Sequence, residues 1–216
     1  MTAHLKGLVL DFGGVLTTPL LPAALAFEQR EGLAEGTLLT GLYLNEEGIR
    51  LTERLERGTL TQIEWNEAAG RLLGIAPDNL MGRVFADLRP EPAVIAAAAE
   101  ARRAGVKVAV LSNSVGLAPW NLYDGYELED LYDAVVLSEE HGMRKPEPEI
   151  YELVLEQLGL RGEECVYVDD TAAYLPAAAE LGFATLHAVD PPRTVATLSG
   201  LLGLARPGED PERVTV

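Results

Sequence analysis

Six residues of this chain suggest joint chemistry. Asp11 follows the apolar run Leu8-Val9-Leu10 and precedes Gly13-Gly14. Ser112-Asn113 and Asp169-Asp170 each follow another short apolar run, and Lys145 stands before Pro146. Three gathered carboxylates repel one another unless a cation is present, and hard oxygen ligands suit Mg²⁺. A lysine and a serine hydroxyl can hold phosphate oxygens. A carboxylate can attack phosphorus to give an aspartyl phosphate, and a metal would neutralise the charge that keeps two anions apart. Taken singly, each piece has an ordinary reading: a solvated turn for Asp169-Asp170, a helix cap for Ser112-Asn113, a surface side chain for Lys145. Their order and placement carry the case.

The elements that must position them follow from periodicity. Residues 8–10 read as a strand buried on both faces, and the glycines after Asp11 allow a sharp turn. From there the pattern is helical for about seventy residues. Helices are expected over 21–30, 37–44 and 46–57, the last closed by Gly58. Thr61-Gln62-Ile63-Glu64 forms a capping box opening a helix that runs to Leu73, and a shorter helix lies around 79–87. Beyond Pro92 the chain alternates. Helices are expected over 92–103, 117–126, 147–158, 175–181 and 193–202, and strands over 106–111, 134–137, 165–168 and 184–188. Alternation of this kind gives an α/β fold, a doubly wound parallel sheet, whose strand ends share one edge. The expected organisation is an α/β core from 1–18 and 91–205, a small all-helical cap from 19–90, and a tail from 206–216.

Composition sets outer bounds. The 216 residues suffice for one large domain or a core with a smaller insertion. A net charge of −17 argues against a nucleic-acid partner. Cys165 is the single cysteine, so no internal disulfide is expected and the residue reads as core. Residues 1–6 lack the apolar core of a signal peptide, and the run 93–99 is too short to span a bilayer, so a cytoplasmic protein without a membrane partner is expected. His141 reads as a solvated loop histidine.

Asp11-Phe12-Gly13-Gly14-Val15-Leu16, Val110-Leu111-Ser112-Asn113, Gly142-Met143-Arg144-Lys145-Pro146-Glu147-Pro148 and Val166-Tyr167-Val168-Asp169-Asp170, the last followed by Ala177-Ala178-Ala179-Glu180-Leu181-Gly182, stand in the order of four known motifs. In this the chain resembles the haloacid dehalogenase-like (HAD) hydrolase superfamily, from Leu5 to about Leu202, and its helical insertion is similar to that family's C1-type cap. The resemblance implies a Rossmann-like core and an Mg²⁺-dependent phosphatase of small phosphorylated metabolites. It implies Asp11 as nucleophile and metal ligand, and the Gly13 carbonyl as a second ligand. Asp170 would bind the metal directly and Asp169 directly or through water. Ser112 and Lys145 would hold the transferring phosphoryl group, with Asn113 hydrogen-bonding near it.

One position departs from the pattern. Most phosphatases of the family carry a second aspartate two residues after the nucleophile, and here that position is Gly13. A general acid–base contributes about 10²–10⁴-fold in rate. The expectation is a preference for aryl, acyl or anomeric phosphates, whose leaving groups depend less on a proton. Two alternatives stand beside the phosphatase reading: a metal-free dehalogenase-type hydrolase, and a binding or regulatory protein that keeps the pocket without turnover. The receiver domain of response regulators is set aside, because its acidic pair lies on the first strand and here the pair comes last.

Overall fold

The computed structural model describes residues 5–204; the expected tail, 206–216, lies outside them. Five parallel strands form one sheet: β1 (Gly7–Leu10), β2 (Lys107–Ser112), β3 (Ala134–Leu137), β4 (Cys165–Asp169) and β5 (Ala184–His187). Their order is β3-β2-β1-β4-β5. Leu8 pairs with Val108 on one side and Val166 on the other, and β1 is buried throughout. The chain runs outward from β1 through β2 to β3, then returns to β4 on the opposite side. The reversal lies between β1 and β4, where an open parallel sheet leaves a crevice at its carboxyl edge. Asp11 and Asp169-Asp170 flank that crevice.

Helices cover both faces, which is why the inner strands read as apolar runs, while the edge strand β5, Ala-Thr-Leu-His, alternates. Leu8, Leu10, Val108, Val110, Val166 and Val168 face α5 (Pro92–Arg103) and α10 (Pro191–Leu202). Val9, Ala109, Leu111 and Tyr167 face α8 (Pro148–Leu158) through Ile150, Tyr151 and Val154. Each large apolar side chain buried here contributes about 1.5–3 kcal/mol, and the two layers together fix the strand ends.

Between β1 and α5 lie α1 (Leu20–Glu31), a π-helical segment Leu39–Leu44, α2 (Glu46–Glu56), α3 (Gln62–Leu73) and α4 (Leu80–Val84). They carry their own apolar cluster, including Phe27, Leu42, Leu55, Trp65, Leu80 and Met81. No strand interrupts them; an antiparallel bridge from Thr17 to Pro90 closes the insertion at its base. The capping box at Thr61 forms as expected: Thr61 Oγ1 accepts from the Glu64 amide, and Glu64 accepts from the Thr61 amide.

Three expectations are corrected. Residues 117–126 form turns, and the only helix nearby is α6 (Leu128–Leu131). Gly116 and Gly125 both take φ of 81°, Asn121 Oδ1 accepts the Tyr123 amide, and Trp120 donates its amide to Gln62 Oε1. Local side-chain bonds and a contact with α3 thus outcompete the helical pattern. The 37–44 segment is π-helical over its second part, and the helix near 79–87 shortens to Leu80–Val84, with Asn79 in the left-handed region. Directly after β3, Ser138–His141 form the short helix α7.

Candidate active site

The sheet's carboxyl edge brings Asp11, Lys145, Asp169 and Asp170 together. Asp11 follows β1 and stays in register by donating its amide to the Val168 carbonyl at 2.9 Å. Its Oδ1 accepts from the Phe12 amide and from Lys145 Nζ, each at 2.7 Å. Lys145 is 1% exposed and donates also to Asp169 Oδ2 at 2.8 Å and to the Leu111 carbonyl at 3.2 Å. The Tyr174 ring lies under its ammonium, 5.2 Å from the centroid.

Asp169 is fully buried and its acceptors are engaged: Oδ1 takes the Thr171 amide at 2.7 Å, and Oδ2 takes Lys145 and the Tyr167 hydroxyl. Tyr167 lies two residues earlier on the same strand, hence on the same face. Burial, then Asp169, holds its phenol well above the usual range, so it stays a donor. Asp170 Oδ1 accepts from Thr171 Oγ1 at 3.1 Å.

Charge explains the electrostatics. Burial, with Asp169 and Asp170 adding to it and Lys145 opposing it, leaves the Asp11 carboxyl raised to about 7. Burial and then Asp169 raise Asp170 likewise. Burial alone would lower Lys145, but Asp11 and Asp169 outweigh it and keep the ammonium charged. Three carboxylates therefore face one ammonium, and oxygens of Asp11, Asp169 and Asp170 lie within 4.8 Å of one another. A hard, oxygen-only donor set in charge deficit fits a divalent cation of the Mg²⁺ type.

The glycines differ. Gly14 has φ of 73°, and a Cβ there would stand 2.3 Å from Asp170 Oδ2, so only glycine lets the acid approach. Gly13 carries no such constraint: its φ is outside the left-handed region, and a Cβ would meet only Leu20 methyls at 3.4 Å. The backbone permits a side chain at this position and the sequence omits it.

Ser112 is buried at the end of β2, its Oγ accepting from Tyr123 Oη at 2.9 Å. That leaves the serine's own proton to donate. Asn113 accepts the Lys145 amide on Oδ1 at 2.8 Å and donates Nδ2 to the Lys145 carbonyl at 3.3 Å, clamping the lysine's backbone. Cys165 is core, as expected, and burial pushes its thiol up to about 12. His141 ends α7 and makes no hydrogen bond to these residues among those described.

Several contributors escaped the sequence reading. Glu56, on α2, reaches Asn113 Nδ2 at 3.3 Å and Arg144 Nε at 2.5 Å. Ser138 Oγ donates to the Glu56 carbonyl at 2.6 Å. Tyr123 comes from the segment expected to be helical. The available signal was local: Arg144 and Glu147 bracket Lys145, and Glu53, Glu56 and Arg57 share one end of α2.

The chain is similar to several known proteins. A sesquiterpene phosphatase of Aspergillus oryzae is 28% identical over 209 residues, covering 94% of this chain and all of that protein. Acyl-CoA dehydrogenase family member 10 of Mus musculus is 28% identical over 223 residues, but the chain spans only 21% of its length. Among solved structures, the magnesium complex of a HAD family enzyme from Bacteroides thetaiotaomicron superposes with a TM-score of 0.64 at 23% identity, covering 85% of this chain and 92% of that one, a likeness of fold. The sequence pattern of the haloacid dehalogenase-like hydrolases matches residues 5–182. With that match spanning most of its length, the chain belongs to the haloacid dehalogenase-like hydrolase family and is a hydrolase.

Proposed function

We propose that this protein is an Mg²⁺-dependent phosphatase of small phosphorylated molecules, with residues 19–90 acting as a cap over the α/β core. The observation that carries the reading is the meeting of Asp11, Asp169 and Asp170 around the single buried Lys145. In this reading Asp11, the Gly13 carbonyl and Asp170 would hold the ion, which would neutralise the charge separating the Asp11 carboxylate from a phosphate dianion. Asp169, with its oxygens already engaged, orients Lys145 and can reach the ion through water.

An Asp11 oxygen attacks phosphorus, the bond to the leaving oxygen breaks, and an aspartyl phosphate forms. Lys145 and the Ser112 hydroxyl hold the equatorial oxygens, whose charge grows as the leaving group departs. Asn113 acts one step back, fixing the lysine's peptide. Water then attacks the phosphorus, releasing phosphate and restoring Asp11. No side chain at position 13 supplies the leaving group's proton or activates that water.

The test is a screen of small phosphate esters with and without Mg²⁺, run beside Asp11→Asn. We expect Mg²⁺-dependent release of phosphate, falling on the order of 10⁴–10⁶-fold in the variant, as for the loss of other catalytic nucleophiles. Turnover of 2-haloacids without metal would replace this reading with the dehalogenase one. Ligand binding with no turnover would leave a binding protein.

A further inference from the structure

The helical insertion encloses a cavity of about 280 Å³. Ala24, Leu38, Leu42, Leu55, Met81 and Val84 supply much of its wall. At its mouth Leu21, Leu39 and Tyr43 are 62%, 50% and 54% exposed, unusual for large side chains grouped around one opening. Glu56 is the only charged residue in the lining, and Arg144 already pairs with it. A charged or polyhydroxylated guest would find few partners there. Two other wall residues, Trp65 and Thr52, leave Nε1 and Oγ1 without a hydrogen-bond partner among the described residues, and Trp65 is only 4% exposed. Neither group selects an apolar guest; the leucine, methionine and valine side chains of the wall do.

The cavity shares walls with the carboxylate site. Leu20 lines it, and Leu20 methyls stand 3.4 Å from where a Gly13 Cβ would be. Glu56 lines it while its carboxylate meets Asn113 at 3.3 Å, and Val115 follows two residues after that asparagine. A phosphate held at Asp11 and Lys145 would thus have its organic part beside this lining.

We infer that the cavity receives the carbon moiety of the phosphorylated substrate, and that this moiety is apolar and of about ten carbon atoms. The inference rests on the phosphatase reading and names its substrate class. The size follows from volume: an apolar cavity of about 150 Å³ takes a benzene ring, so this one holds nearly twice that. Apolar contact supplies the affinity, and the phosphate supplies orientation.

Two series test it. The first is turnover of 4-alkylphenyl phosphates, which lengthen the apolar part at nearly constant leaving-group pKa. The second is calorimetric binding of n-alkylphosphonates, which cannot be hydrolysed. We expect kcat/KM, and separately phosphonate affinity, to rise about fourfold per methylene until about ten carbons are housed, then level off. Leu39→Asp, at an exposed position on the rim, should flatten both slopes. Turnover without chain-length dependence in either series would overturn the cavity assignment and leave the phosphatase reading standing. Graded phosphonate binding with no turnover of any ester would support the cavity and overturn the phosphatase reading. Neither turnover nor binding would overturn both.

Discussion

The carboxyl edge of the sheet and the interior of the helical insertion are built by opposite means. At the sheet edge, position is set by backbone. Asp11 and Asp169 continue paired strands, Gly14 admits Asp170, and Asn113 clamps the peptide of Lys145. Asp11, Lys145 and Asp169 are buried and tied by several bonds each, and Asp170 is half-buried beside them. In the insertion no sheet register operates, the lining comes from several helical segments, and the side chains are apolar with part of the rim exposed. The first arrangement fixes its groups through backbone bonds and ion pairs, and the second leaves a cavity. In the proposed reading, the chemistry rests on the bonded edge and the choice of substrate on the apolar interior.

The difference can be broken most forcefully at Lys145. Replacing it by methionine leaves Asp11 and Asp169 buried without their shared ammonium. Breaking a buried pair by removing one partner costs about 3–5 kcal/mol, and Lys145 and Asp169 are 1% and 0% exposed, so little solvent screening softens the loss. Urea unfolding without metal should show a fall of that size, and Mg²⁺ should recover part of it. A change below about 1 kcal/mol would mean that the cluster takes up protons easily and that the lysine does not hold it together.

A smaller change, in rate, is expected at Gly13. Its Cβ position is open apart from Leu20, and its backbone is unstrained, so Gly13→Asp should fold. The new carboxyl would stand where the family's acid usually does and should raise kcat/KM for simple alkyl phosphates by about 10²–10⁴-fold. Aryl phosphates, which leave without a proton, should gain far less. A leaving-group series compared between the two proteins reads this directly. A shallow dependence on leaving-group pKa already present in the parent protein would show that another residue, such as one from the insertion, supplies the proton.

The contrast also explains what could be read from the sequence. Strands buried on both faces announce themselves as apolar runs, and a doubly wound sheet sends their carboxyl ends to one edge. Asp11, Lys145, Asp169 and Asp170 therefore meet as their order implied, and the strand boundaries differ by about one residue. Glu56 and Arg144 left only a local clustering of charges, because a helix end meeting a distant loop leaves no periodic trace. The turns over 117–126 were misread because Pro119, Gly116 and Gly125 punctuate a stretch whose apolar spacing alone suits a helix. The cavity was hidden for a related reason. Most of its lining residues are apolar and individually ordinary, and only the packing of α1 to α4 and the π-helical segment leaves space among them.

The least disruptive probe lies where the two regions touch. Arg57, capping the end of α2, donates to Glu147 Oε2 at 3.0 Å and to the Gly142 carbonyl at 3.2 Å, with a second bond to Glu147 Oε1. The pair spans from the insertion to the loop that carries Lys145. Its side chains are 36% and 30% exposed, so water and salt screen it, and a partly exposed pair contributes about 0–1 kcal/mol. Bidentate geometry places it toward the upper end. Arg57→Ala should therefore lower stability by no more than about 1 kcal/mol, less at high salt. Its effect on turnover discriminates more. If the insertion only shapes the substrate's apolar part, KM should shift modestly and kcat should stay within about twofold for a drop of a few tenths of a kcal/mol in positioning. A fall in kcat well beyond that, at unchanged stability, would mean that contact with α2 helps to hold Lys145 in place. The separation between a bonded chemical edge and an apolar selective interior would then be weaker than proposed.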